Sequence, residues 1–196
     1  MRKQATSQDA RLIMELYRLR RETQMRKARH WWLTDFWPES AGDYLKVEMA
    51  RKTLQSNWLR QVVSYWGMAA SFVLHGTLSE KVFLDASFST EMFLIFAKVQ
   101  PFLKELRRKT LNPELMGNIE KVIMKSKTGR VRLKQVSKRV ERRRKLQRTK
   151  AKDSEKRPPA QSRAATSNCP PRQSIAVQSH IIRRRPARNR PPAPAT

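Results

Sequence analysis

The sequence predicts an all-α fold: an antiparallel bundle of about four or five helices followed by a disordered basic tail. Three observations predict it. Apolar residues recur at spacings of three and four rather than two. No Asn-Gly or Asp-Gly hairpin turn interrupts them. All 15 aromatic residues (5 Trp, 3 Tyr, 7 Phe) lie between Tyr17 and Phe102. The charge is skewed the other way. Of 43 Lys and Arg and 16 Asp and Glu, 22 basic and 3 acidic residues follow Lys125, a net of +19 against +8 before it. A segment that is cationic and poor in apolar mass buries too little surface to offset its ordering entropy.

The elements follow in order. Ser7-Gln8-Asp9 supplies helix-start chemistry for a helix from Ala10 to about Arg21. Met25, Ala28, Trp32 and Phe36 form one helical face, with Thr23 as a cap and Pro38 as a stop. A loop and short helix occupy Gly42 to Met49. Leu54, Trp58, Val62, Tyr65, Ala69 and Phe72 make the clearest stripe, and Gly76 is placed to end it in a left-handed cap. Phe88, Met92, Ile95, Val99, Phe102 and Leu106 make a second stripe, broken or kinked at Pro101. Asn112-Pro113 reads as an N-cap and first turn for a last helix carrying Leu115, Ile119 and Val122.

These elements divide the chain into a helical bundle domain at 1–125, a Lys/Arg-rich and partly helical segment at 126–157, and a Pro/Arg-rich disordered tail at 158–196. The longest apolar run, Val62 to Leu74, is shorter than the roughly 20 residues a membrane span needs. Nor does the N-terminus carry the apolar core of a signal peptide. The expected location is cytoplasmic. The single cysteine, Cys169, permits neither an internal disulfide nor a Cys-based zinc site.

Residues 9–120 resemble an uncharacterised bacterial family of small all-helical proteins. The likeness is carried by Leu16-Tyr17-Arg18-Leu19-Arg20-Arg21-Glu22, Met25-Arg26-Lys27-Ala28-Arg29-His30-Trp31-Trp32, Trp58-Leu59-Arg60-Gln61-Val62, Tyr65-Trp66-Gly67-Met68-Ala69-Ala70-Ser71, His75-Gly76-Thr77-Leu78 and Pro101-Phe102-Leu103-Lys104-Glu105-Leu106-Arg107. It implies a helical scaffold and neither an activity nor a cofactor.

No phosphate-cradling glycine loop, zinc-ligand spacing or nucleophile elbow is present. His75 with Glu91 is the sharpest candidate for an acid–base pair, and structural pairing or no contact is its default reading. Arg60 reads as a solvated or interhelical charge. Trp32, Trp58 and Trp66 read as core, whereas Trp31 and Trp37 are less tied to a stripe. The feature with a direct physical consequence is the basic run of Arg130, Arg132, Lys134, Lys138, Arg139, Arg142, Arg143, Arg144, Lys145 and Arg148, opposed only by Glu141. A polyanion relieves its self-repulsion and releases condensed counterions. Arg183-Arg184-Arg185 forms a second cluster. The expected function is therefore non-enzymatic: weakly specific nucleic-acid or other polyanion binding, without a cofactor or metal. Two alternatives remain open. One is a helical protein-interaction module with a merely solubilising tail. The other is a peripheral protein held on anionic lipid.

Overall fold

In the computed structural model, which describes residues 5–155, Thr6 begins the first helix. Its hydroxyl accepts from the Asp9 amide at 3.2 Å, and the Asp9 carboxylate accepts from the Thr6 amide at 2.7 Å. This reciprocal capping box starts α1 (Ser7–Arg21). The cap therefore lies one residue before the expected Ser7-Gln8-Asp9, with Asp9 as its third-position partner. Asp9 also accepts from the Ser79 amide at 2.7 Å, which pins the helix start to a distant loop.

Helix α2 (Thr23–Thr34) follows after a break at Glu22, and Met25, Ala28, Trp32 and Phe36 are all buried as the spacing predicts. Ser40 caps α3 (Ala41–Met49) through a second capping box, with Asp43. Helix α4 (Leu54–Leu74) starts at Thr53 and ends before Gly76, whose φ of 72° is the left-handed conformation expected there. Its buried face is turned slightly from the predicted stripe. Leu59, Val62, Trp66, Ala69, Ala70 and Val73 are buried, while Leu54 at the helix start is 62% exposed.

A short α5 (Glu80–Phe83) leads to α6 (Ala86–Val99). All six residues of the second predicted stripe, from Phe88 to Leu106, are buried. Pro101 breaks the helix as expected: a 3-10 turn spans Gln100–Phe102 before α7 (Leu103–Thr110). Leu111 ends α7 in a left-handed conformation. Asn112 does not cap the next helix. Its side-chain oxygen accepts from the Glu114 amide in a local turn, and α8 (Gly117–Lys125) begins only after a second left-handed residue, Met116.

The described residues are thus all-helical, and among them no helix is long and apolar enough to cross a membrane. Helix α4 packs against α2, α3 and α8, and α6 packs against α2 and α8. The core between them encloses Trp32, Tyr44, Trp66, Phe83, Phe93 and Phe96 completely. Burying one such phenyl ring contributes about 2–3 kcal/mol from water exclusion.

The segment after residue 125 departs from the expected partly helical, loosely held stretch. Lys127–Glu155 is one long helix, α9, packed on α6 and α8. Leu133, Val136 and Val140 belong to the hydrophobic core. Helix α9 therefore belongs to the same compact unit as α1 to α8. The Pro/Arg-rich tail at 158–196, with Cys169 and the cluster at Arg183, Arg184 and Arg185, lies outside the described residues.

Candidate nucleic-acid interface

Helix α9 sorts its cations by their angle to the core. Leu133, Val136 and Val140 stand at spacings of three and four, so they share one face. At 3.6 residues per turn, Lys134, Lys138, Arg142 and Lys145 fall on the opposite face. Arg132, Arg143, Arg144 and Arg148 fall on the flanks. The ten basic residues expected to bind a polyanion therefore do not share one face or one set of surroundings.

The flanking residues hold the helix in place. Arg132 donates to the Leu84 carbonyl at 2.7 Å, the Ser89 hydroxyl at 3.0 Å and the Thr90 hydroxyl at 2.6 Å, and lies 4.5 Å from the centre of the Phe93 ring. Arg144 donates to the carbonyls of Pro38 at 2.5 Å and Lys98 at 2.8 Å. Arg143 sits over Trp37 at 4.5 Å. Arg148 makes a two-nitrogen ion pair with Glu39, whose carboxyl is held below its ordinary range by that bond. Arg130 returns to the Met124 carbonyl at 2.6 Å, covering the end of α8. Burial pulls the guanidinium pKa of both Arg132 and Arg144 downward.

Lys98 supports this junction from inside. It is fully buried on α6, and its ammonium donates to the Trp32 carbonyl and, at 2.9 Å, to the Phe36 carbonyl. It also faces the Trp37 ring at 3.6 Å. The two acceptors lie at the end of α2, where carbonyls lack helical partners and a positive charge is favoured. Burial, with Arg143 and Arg144 nearby, brings the Lys98 pKa down to about 7. The half-buried Trp37 ring thus meets both Lys98 and Arg143.

The crest of α9 is different. Lys134, Lys138, Arg142 and Lys145, with Arg139 on the flank beside them, are exposed, and no hydrogen bond or ion pair engages their side chains among the described residues. Lys127, which the sequence reading did not single out, shares this face. From Lys127 to Lys145 the crest extends about 27 Å, the axial rise of about eight base pairs. Beside its first half runs a groove of about 570 Å³, lined by Lys127, Thr128, Gln135 and Arg139 of α9 and by Ala86 and Thr90 of α6.

The candidate acid–base pair does not form. His75 is exposed, while Glu91 is buried on α6. Glu91 accepts from Arg20 at 3.1 Å, from Arg29 at 2.7 Å and from the Trp66 indole at 3.2 Å. Arg20 also donates to the Phe88 carbonyl and lies over the rings of Trp66 and Phe88 at 5.2 and 5.6 Å. This is a closed ionic core joining α1, α2, α4 and α6. Sequence reasoning missed it because the partners of Glu91 stand 71 and 62 positions away. Arg60 is exposed and bonds within its own helix to Ser56 and Asn57.

The profile of a domain of unknown function, DUF4760, matches residues 5–126. The chain belongs to the DUF4760 family. The match ends one residue before α9 begins, so the DUF4760 region supplies α1 to α8 and the cationic helix follows it. No match is found among curated proteins or among solved structures.

Proposed function

We propose that this DUF4760 protein is a non-enzymatic binder of nucleic acid, and that the crest of α9 is its contact surface. The observation carrying this reading is the division of cations on one helix. Arg132, Arg143, Arg144 and Arg148 on the flanks reach back to the bundle, while Lys127, Lys134, Lys138, Arg142 and Lys145 on the crest are exposed and unpaired. A rigid helix that presents unpaired charges at intervals of three to seven residues meets a polyphosphate with little further loss of conformational freedom. It releases about one counterion per neutralised phosphate. The crest offers Lys and Arg as point charges and no recognised base-reading motif, so affinity exceeds sequence discrimination.

The test is fluorescence anisotropy of a short labelled DNA duplex titrated with the full chain and with K134Q/K138Q/R142Q/K145Q. The four substitutions are at exposed positions and leave the core untouched. The expected loss is at least about a hundredfold at low salt. Equal affinities for the two proteins overturn the reading. So does binding to anionic-lipid vesicles without binding to the duplex.

A further inference from the structure

The seam between α2 and α4 holds a second concentration of unpaired cations, beside the half-buried Trp58 and the edge of Trp31, which is 9% exposed. Arg26, Lys27 and His30 stand at spacings of one and three on α2, a single outward strip. All three are exposed, and no hydrogen bond or ion pair engages their side chains among the described residues. Their neighbour Arg29 is turned inward to Glu91. Together with Trp31, Trp58 and Asp35 they line an open groove of about 460 Å³. Trp31 is stacked on Phe36 on one side, with ring centres 4.5 Å apart and planes 16° apart. Trp58 stands 6.2 Å from Trp31 at a tilt of 48°, so the two indoles form a wedge rather than a closed stack.

We infer that this groove binds a nucleotide unit, with the base against the Trp31–Trp58 wedge and the phosphate on Arg26, Lys27 and His30. The chemistry selects both halves of such a ligand. Two cations against the single carboxylate of Asp35 leave the groove net positive before His30 is counted. Guanidinium, ammonium and imidazole are all donors to phosphate oxygens. The accessible ring surface of Trp58, backed by the edge of Trp31, takes up a flat π-system regardless of its sequence identity, and the volume lies in the range of small-ligand clefts. A purely apolar ligand leaves the cations unused. A bare inorganic anion leaves the indoles unused. The same nucleotide chemistry is offered by a free mononucleotide and by one residue of a single strand. The site stands on α2 and α4 and does not depend on the reading of α9.

The experiment is isothermal titration calorimetry of the full chain with ADP, with a short oligo(dT), and with pyrophosphate. Saturable binding of ADP or of the oligonucleotide is expected, about tenfold or more tighter than pyrophosphate. ADP binding identifies a mononucleotide site, and oligonucleotide binding without ADP binding identifies a strand site. R26E/K27E, at two exposed positions, is expected to weaken the bound ligand at least about tenfold, because it replaces both attractive charges with repulsive ones. For ADP, K134Q/K138Q/R142Q/K145Q is expected to match the unaltered chain within about twofold, since its changes lie on another helix. For the oligonucleotide, which also meets the crest, the R26E/K27E loss is expected in the quadruple background too. The inference is overturned by binding of neither nucleotide, by pyrophosphate binding as tightly as ADP, or by R26E/K27E leaving affinity unchanged.

Discussion

Arg144 and Lys98 meet through the main chain: the Arg144 guanidinium donates to the Lys98 carbonyl at 2.8 Å, while the Lys98 ammonium points inward to the carbonyls at the end of α2. Two cations share one junction because each has its own carbonyl acceptors. That arrangement seats the second half of α9 on the loop at Pro38 and frees the crest.

Lys98 makes folding stability depend on pH. Its folded pKa of about 7 lies below its ordinary 10.5, chiefly through burial, with Arg143 and Arg144 adding to the depression and Asp35 opposing it. Between these values the unfolded chain binds more protons than the folded one, so this residue adds stability as pH rises from about 7 to about 10.5. Urea unfolding of the native protein and of K98M at pH 7 and pH 9 measures the difference. The native protein is expected to gain on the variant at pH 9. A constant gap contradicts the assignment.

Glu91 anchors two guanidiniums in the ionic core. Glu91→Leu leaves Arg20 and Arg29 without their shared carboxylate, and Arg20 is itself buried. The expected cost is about 3–5 kcal/mol in denaturant unfolding. A change below about 1 kcal/mol contradicts a closed ionic core.

Leu133 tests whether α9 belongs to the bundle. It is buried against the same core as α6 and α8. Leu133→Ala is expected to cost about 2–4 kcal/mol, whereas a surface helix position tolerates alanine. An unchanged midpoint shows that α9 is not seated.

Leu111 has φ of 52° and is 90% exposed, so its side chain gains nothing from packing while its backbone is strained. Glycine relieves that strain at some entropic cost. Leu111→Gly is expected to raise stability by about 0.5–1 kcal/mol, seen as a higher denaturant midpoint. A lower midpoint contradicts the assignment of strain.

The two helices with the densest apolar stripes were legible in the sequence because water exclusion alone sets their inward faces. Phe88 through Leu106 is buried at every predicted position. The stripe predicted for α4 is turned slightly from its buried face, since the helix packs on three neighbours and so buries more than one stripe. The sequence predicts only a loosely held segment at α9 because Leu133, Val136 and Val140 make a thin stripe. Its remaining attachment comes from Arg132, Arg143, Arg144 and Arg148 reaching carbonyls, rings and Glu39 that lie 42 to 109 positions earlier where hydrogen-bonded. A side chain's acceptor at that separation leaves no local pattern. The angular sorting does leave one: cations opposite the Leu133, Val136 and Val140 face are distinguishable from those beside it once that face is accepted as buried.

The most direct measurement is the salt dependence of duplex binding for the native protein and for K134Q/K138Q/R142Q/K145Q, with a thermal melt of each. Four fewer phosphate contacts lower the magnitude of the log–log slope by about 3–4, and the melting temperatures agree within experimental scatter. A slope unchanged by the four substitutions, or a variant that melts well below the native protein, contradicts a crest of free charges on an otherwise anchored helix.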